Sequence, residues 1–562
     1  MNFKLFALLL LLTLTVNCNN KTQLAVNESG EEVSKPFLWE NAHIYFLLTD
    51  RFQNGDPSND VNFGRTEKAA KLRGFMGGDI KGITEKIEDN YFSDLGVDAI
   101  WFTPIVEQVH GIVDEGTGRT YGFHGYWTKD WTALDPNFGT GADLAEMIDA
   151  AHARGIRILI DAVINHTGPV TKQDPVWPTA WVMEDPTCTY QGFETTVSCT
   201  LVDNLPDIKT EKVSSEEAVD LPPQLLAKWK KEGRYQREMS ELDAFFKRTG
   251  YPRTPRYYII KWITDFIREY GIDGYRVDTV KHTEEEVWED LRAESDMAFA
   301  AWKKAYPNKV MDPDVPFYMV GEVYGYGISG GRMYDYGDRK VDFFDAFTSL
   351  INFEFKYDAT KDYERIFNKY ATLLEQKLPN KTVVNYISSH DDGSPFDQKR
   401  EKPLEAATKL LLCPGSPQTY YGDETARSLI VAGTQGDATL RSFMNWEEIE
   451  KDAQKGKYSV QEILSHWQKL GQFRQAHPAV GAGKHQTLSR QPYTFSRTYS
   501  KGNYSDQVVV ALDAKEKEKK IRVGNIFPDG TQLKDYYSGQ IATVENGMLI
   551  FESEGSVVLL GK

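Results

Sequence analysis

The stretch Gly271–His282, GIDGYRVDTVKH, sets Arg276 and Asp278 two positions apart inside a predicted buried strand. Alternate side chains of a strand share a face, so the guanidinium and the carboxyl point the same way. Burying both is costly unless they pair and are hydrogen-bonded. Other predicted strand ends are charged too: Asp161, Asn165 and His166 after one, Glu322 at a second, His390 and Asp391 at a third. A lone acid in such a place is usually a helix cap or half of a surface ion pair. Asp278, Glu322 and Asp391 together, with no matching set of cations, are instead the raw material of acid–base and nucleophilic chemistry.

For that chemistry the acids must meet, and the pattern of the chain indicates how. Between about residues 40 and 475, short apolar runs alternate with helical segments. The runs are AHIYFLLTDRF, VDAIWFTPIV, GIRILIDAVINH, GIDGYRVDTV, FYMVGEVYG, VDFFDAF, TVVNYISSHD and PQTYYGDE. In the helical segment DLAEMIDAAHARG, Leu144, Met147, Ile148 and Ala151 fall at i, i+3, i+4 and i+7, and YYIIKWITDFIREYG repeats the spacing. Apolar strands between amphipathic helices predict a parallel sheet buried on both faces. Eight such units, with no glycine-rich dinucleotide fingerprint after the first strand, predict an α/β fold of the closed (β/α)8 TIM-barrel type. In that fold the strand C-termini open on one mouth.

Roughly 90 residues separate DAVINH from the helix at RYYIIKW, far more than a βα loop needs. The expected layout is therefore a barrel over 36–166 and 256–478, with a small inserted domain over 167–255 after strand three. From 479 to 562 the runs QPYTFSRTYS, QVVVALDA, KKIRVGN, GMLIFES and GSVVLLG predict a C-terminal antiparallel β-sandwich.

The chain opens MNFKLFALLLLLTLTVNC. Its apolar run, Leu5–Val16, is shorter than the ~20 residues of a membrane span and suits a signal-peptide core. Residues 1–17 are expected to be a signal peptide and 18–35, polar and aperiodic, a tether. Cys18 stands where a bacterial lipoprotein is acylated, although Thr15 and Asn17 depart from the usual residues before it. The expected location is the periplasm or cell envelope, with a lipid anchor at Cys18 as the sole membrane contact and a monomeric chain. A net charge of −17, from 82 acidic and 65 basic residues, argues against nucleic acid or an anionic membrane surface as partner. Cys188 and Cys199 are spaced for a short loop disulfide in an exported protein, and Cys413 in KLLLCPGS suits a buried apolar site.

Taken together, these residues resemble the α-amylase family of glycoside hydrolases (family 13) over nearly the whole chain. DAVINH, GYRVDTVKH, GEV and SSHDD look like its four barrel motifs in order, and NLPDI (204–208) like its motif in the inserted domain. FHGYWTKDWTALDPNFGT is similar to the segment after strand two, and PGSPQTYYGDE to the strand-eight motif. The resemblance implies a retaining, endo-acting hydrolase of α-1,4-glucosidic bonds in starch and maltooligosaccharides. Asp278 would be the nucleophile, Glu322 the general acid and base with a raised pKa, and Asp391 a stabiliser of the transition state. Asp278 and Glu322 would then stand about 5–5.5 Å apart. Arg276 would hold Asp278, with Asp161 beside it in the substrate site. His124, His166 and His390 would bind the sugar before the cut, Tyr126 and Trp127 would offer a platform, and Lys281 and His282 would serve the sugars beyond it. Asp437 and Arg441 would contact the non-reducing side.

TDRFQNGDPSND followed by FMGGDI reads as a hard-cation loop. Asn54, Asp56, Asn59, Asp60 and Asp79 offer side-chain oxygens and Gly77 a carbonyl, which suits the 6–8 oxygen ligands of calcium. The resemblance implies a second site joining Asn165, Asp207 and the His282 carbonyl, so one or two structural Ca2+ ions are the expected cofactors. A cyclomaltodextrinase, a neopullulanase-like hydrolase or a transglycosylase is the nearest alternative, although NLPDI departs from the Met-Pro-Lys form common in neopullulanase-like members. A non-catalytic glucan-binding lipoprotein is more remote, since such proteins usually lack one or more of the three acids.

Overall fold

The computed structural model describes residues 24–26, 32–211 and 218–562. The expected signal peptide and Cys18 lie outside the described residues. Within the expected tether, Leu24–Val26 pairs antiparallel with Glu32–Ser34.

Eight parallel strands close into a barrel: β1 (Ile44–Leu47), β2 (Ala99–Phe102), β3 (Arg157–Ala162), β4 (Gly274–Val277), β5 (Tyr318–Gly321), β6 (Ser349–Asn352), β7 (Thr382–Tyr386) and β8 (Ser416–Tyr420). Each pairs with its neighbours in sequence, and β8 pairs with β1. Every residue of the eight strands is buried, as expected when helices cover the outside and side chains fill the inside. Six of the expected runs contain the observed strand whole and the eighth misses only Ser416; the sixth does not overlap its strand. The run VDFFDAF supplies half of a small hairpin and a 3-10 turn, Phe343–Asp345, capped by Asp342, while β6 begins at Ser349. The side chain of Asp342 takes the Phe344 N–H at 3.0 Å, which ends extended structure at that point.

The helices outside are α1 (Ile80–Glu88), α2 (Gly141–His152), α3 (Pro255–Tyr270), α4 (Glu285–Ala305), α5 (Tyr363–Lys377), α6 (Pro403–Leu411) and α7 (Val460–Ala476). Thr140 and Asp143 form a capping box at the start of α2, whose Leu144, Met147, Ile148 and Ala151 are buried. Helix α3 starts with Pro255 at its first turn and buries Ile259, Trp262 and Ile263. It stops at Gly271, whose φ of 73° and N–H bond to the Ile267 carbonyl close the helix and lead the chain into β4. The connection after β5 carries no α-helix, only the hairpin Met333–Asp335 with Lys340–Asp342 and two 3-10 turns, Ile328–Gly330 and Phe343–Asp345.

Between β3 and α3 a ribbon pairs Val182–Met183 with Asp207–Ile208, a disulfide joins Cys188 to Cys199, and two helices follow, Pro223–Lys231 and Tyr235–Thr249. Trp177, Trp181 and Trp229 of this segment pack with Trp131 and Trp262, so one core runs from the barrel into it. The C-terminal region is a six-stranded antiparallel sheet with a two-stranded ribbon, Glu518–Arg522 with Met548–Glu552, around a small core of its own. All five expected runs lie on its strands. Three further strands, Lys484–Arg490, Gln532–Asp535 and Ile541–Thr543, carry little apolar signal; Gln532–Asp535 buries only Leu533 and Asp535, and the other two bury no residue fully. Among the described residues, no helix is long and apolar enough to cross a membrane.

Candidate active site

Strand register brings the first pair together. Arg276 of β4 lies opposite Asp161 of β3, and Asp278 and Glu322 follow the ends of β4 and β5. The Arg276 guanidinium is almost wholly buried. Its Nη1 stands 2.6 Å from Asp278 and 3.0 Å from Asp161, and its Nη2 stands 3.5 Å from Glu322. One cation thus serves three carboxyls, and these pairings offset the cost of burying it. Asp161 also takes hydrogen bonds from the Trp101 indole (3.1 Å) and the Tyr126 hydroxyl (2.8 Å). Burial pushes its carboxyl up to about 6, with Arg276 opposing and Asp278 adding to the shift.

Glu322 goes higher. Burial is the main cause, Asp278 and Asp391 add like charge, and Arg276 only partly opposes them, so its carboxyl titrates at about 8. One of its oxygens accepts the Thr279 N–H at 2.8 Å. Thr279 sits in the left-handed region, φ 51° and ψ 35°, an uncommon place for a β-branched residue that costs about 1–3 kcal/mol. The strain aims a backbone donor at Glu322. Nothing in the type or spacing of Thr279 marks it for this role.

Asp391 stands at the mouth, its side chain about one-third exposed. Burial works to raise its pKa, but His390, Arg276, Arg441 and a 3.2 Å bond from the Ser389 hydroxyl hold it below the ordinary carboxylate value. Its neighbour Asp392 is turned inward onto Lys356 and the Tyr386 hydroxyl. Only the first acid of the pair is left free at the mouth. Arg441 donates to the His390 carbonyl at 2.9 Å and pairs with Asp437 at 2.5 Å, and Arg73, which the motifs do not mark, holds Asp437 from the other side at 3.0 Å.

The histidines are neutral donors and acceptors. Burial lowers the pKa of His124, His166 and His390, the last to about 4. His390 stacks on Tyr126 at 5.3 Å, His166 Nε2 donates to the Tyr126 carbonyl at 3.1 Å, and the Tyr126 N–H donates to His124 at 3.1 Å. Tyr126 is therefore the hub of this wall. Trp127 is buried and meets His124 edge-on at 4.8 Å, so it backs the wall and presents no open face. His282 is also pushed down to about 4 by burial and by Lys281.

The expected cation ligands are placed unevenly. Asn54 and Asn59 each keep a buried side-chain oxygen without a partner, and Asp60 accepts from Asn54 at 2.9 Å. A Cβ at Gly77 would fall 2.4 Å from the Asn54 side chain and 2.6 Å from that of Asp60, so the backbone closes tightly on them. Asp79 caps α1 and takes N–H bonds from Gly55 and Asp56, whereas Asp56 turns outward to Ser58 and Lys81. At the other expected site, Asp207 keeps a buried oxygen unpartnered, and burial with Glu284 and Glu211 drives its pKa well up. Asn165 adjoins it and accepts from Thr283, next to His282. Oxygen donors without hydrogen-bond partners suit a hard cation. Among the described residues no three His, Cys, Asp or Glu side chains cluster as a metal site, so amide and carbonyl oxygens would have to complete either set.

A barrel with acids from several strand ends held around one cation is the build of a glycoside hydrolase. Residues 46–176 and 252–483 match the family model of the alpha amylase catalytic domain, and the chain belongs to the alpha-amylase family. It is 37% identical over 548 residues to the periplasmic alpha-amylase of Escherichia coli (strain K12), covering 87% of this chain and 74% of that one. It is 27% identical over 527 residues to the cyclomaltodextrin glucanotransferase of Bacillus sp. (strain 6.6.3), covering 92% of this chain but 64% of that one. In fold it resembles the crystal structure of an Anoxybacillus alpha-amylase, with a TM-score of 0.63, 22% identity, and coverage of 94% and 99% of the two chains.

Proposed function

We propose that this chain is a retaining, endo-acting α-amylase that cleaves α-1,4-glucosidic bonds of starch and maltooligosaccharides. The observation that carries this reading is the single guanidinium, 2.6 Å from Asp278 and 3.5 Å from a Glu322 whose pKa lies near 8. The guanidinium aims Asp278, while burial and the neighbouring acids, which Arg276 only partly opposes, leave the proton on Glu322. Asp278 attacks the anomeric carbon as the bond to the leaving sugar breaks, and Glu322 gives its proton to the departing oxygen. Glu322 then takes a proton from water, which displaces Asp278 from the same carbon and restores the original configuration. Asp391 faces the charge that develops on the ring, and His124, His166 and His390, neutral beside Tyr126, are placed to hydrogen-bond its hydroxyls.

Two structural calcium ions fit this reading. Asn54, Asn59, Asp60, Asp79 and the Gly77 carbonyl would hold one; Asn165, Asp207 and the His282 carbonyl would hold the other and fasten the inserted segment. Export fits the short apolar leader, the Cys188–Cys199 bond and the periplasmic relative, and a lipid on Cys18 would tether the enzyme to the envelope. The glucanotransferase relative favours a second reading, in which a sugar hydroxyl replaces water in the second step.

Products from starch, pullulan and cyclodextrin, run beside Asp278→Asn, test both readings. Mixed linear maltooligosaccharides from starch are expected, with kcat lowered about 10⁴-fold in the variant. Cyclodextrin or pullulan cleaved while starch stays intact supports the alternatives, and a fully active variant removes Asp278 from its role.

A further inference from the structure

Lys281 and His282 close the β4 motif beside Glu322, and two distant segments frame them. The first is the loop closed by the Cys188–Cys199 disulfide, 11 residues apart in sequence. Its Thr196 carbonyl accepts from His282 Nδ1 at 3.0 Å, and its Tyr190 ring meets the His282 ring edge-on at 5.8 Å. The second is the hairpin after β5, whose Tyr336 hydroxyl donates to the Lys281 carbonyl at 2.8 Å. Loop and hairpin are clasped to each other. The Phe193 N–H donates to Asp338 at 2.9 Å, and Arg339 covers the Phe193 ring at 3.9 Å. A Cβ on Gly192 would lie 2.4 Å from the Asp338 carboxylate, so glycine is what permits the approach.

Inside this frame the Lys281 ammonium faces three tyrosine rings, Tyr324 at 5.2 Å, Tyr190 at 5.7 Å and Tyr334 at 5.9 Å. Tyr190 and Tyr324 are 51% and 55% exposed, unusual for rings that flank a half-buried cation. Free donors beside open aromatic faces suit a ligand that has hydroxyls on its edge and C–H groups on its face.

We propose that Cys188 and Cys199 are positioning residues for the sugars beyond the scissile bond. Their disulfide fixes the loop that sets Tyr190 and Thr196 against Lys281 and His282. This rests on the reading of the chain as an α-glucan hydrolase. A cross-linked short loop has lost most of its alternative conformations. Opening it frees the ring and the carbonyl, whereas Asp278 and Glu322 are held by Arg276 and Asp391 by Ser389 beyond the end of β7, none of which the loop contacts. The effect should therefore fall on sugar binding at the leaving side and spare the bond-breaking step.

The test compares oxidised wild type with Cys188→Ser/Cys199→Ser and with wild type reduced by a phosphine. Two substrates are used: a long maltooligosaccharide, which fills the leaving side, and an aryl maltoside, whose leaving group is one small aromatic ring. We expect kcat/KM on the long substrate to fall about five- to tenfold through KM, the scale of one aromatic contact and one hydrogen bond. On the aryl maltoside it should change by less than about twofold, which also shows that the variant is folded. Reoxidation of reduced wild type should restore KM. Tyr190→Ala with the disulfide intact should raise KM on the long substrate, and adding it to the cysteine variant should add little, since contacts acting as one unit are not additive. Equal losses on both substrates, or none on either, overturn the proposal. A wild type inactive on both would instead refute the hydrolase reading beneath it.

Discussion

Arg276 shows how one residue can settle the chemistry of its neighbours. Its two terminal nitrogens meet Asp161, Asp278 and Glu322, yet these acids do not share one electrostatic environment. Glu322, raised by burial and by the like charges of Asp278 and Asp391, keeps its proton up to about 8; Asp391, beside His390 and Arg441, is held low. Two acids with pKa values pushed apart are what a proton donor and an anionic partner require. The pH dependence follows with its sign. The acid must be protonated to release the leaving sugar, so kcat/KM is expected to fall as pH rises through about 8. An alkaline limb near the ordinary glutamate range would deny Glu322 this role. Stability should bear the same mark. In the unfolded chain the carboxyl loses its proton from about 4.5 upward, while the folded site holds it to about 8. Glu322 therefore weakens the fold progressively across that window. Glu322→Gln, which cannot ionise, should gain more melting temperature over wild type at pH 8 than at pH 5. An equal gain at both would contradict the shift.

At the scale of elements, the site depends on where strands stop and in what register they pair. The one-to-one match of Asp161 with Arg276 across β3 and β4 puts their side chains at one level. Helix α3 must end in time for β4 to start there, and Gly271 does this with φ 73°. A Cβ at that position would fall 2.0 Å from the Trp302 ring. Gly271→Ala is thus expected to destabilise the enzyme by roughly 1–3 kcal/mol, from left-handed backbone strain plus displacement of the indole. Denaturant midpoints of the two proteins would measure it, and a neutral result would mean that the α3–β4 turn tolerates ordinary geometry. The hairpin after β5 makes the complementary point. Where a regular barrel has a helix, this chain spends the connection on Tyr334, Tyr336 and Asp338, which face Lys281 and the disulfide loop.

Across the whole molecule, the inserted segment and the barrel share a core; of the two expected calcium sites, one lies in the loop leading into α1 and the other between Asn165 of the barrel and Asp207 of the insertion. Chelation should therefore lower the melting temperature by several degrees and added Ca2+ should restore it. An unchanged transition would assign Asp79 to helix capping alone. The alternation of apolar strands with amphipathic helices determined the barrel by itself, because burial on both faces of a strand is written locally. Asp278, Glu322 and Asp391 were likewise legible, since acids at the ends of apolar runs stand out against their surroundings. Only the tertiary structure decided that Asp392 is neutralised by Lys356 while Asp391 stays free, that strained Thr279 serves Glu322, that β6 begins at Ser349, and that Arg73 steadies Asp437. Each of these depends on contacts between residues far apart or on a backbone angle, which barrel closure fixes and local pattern does not record.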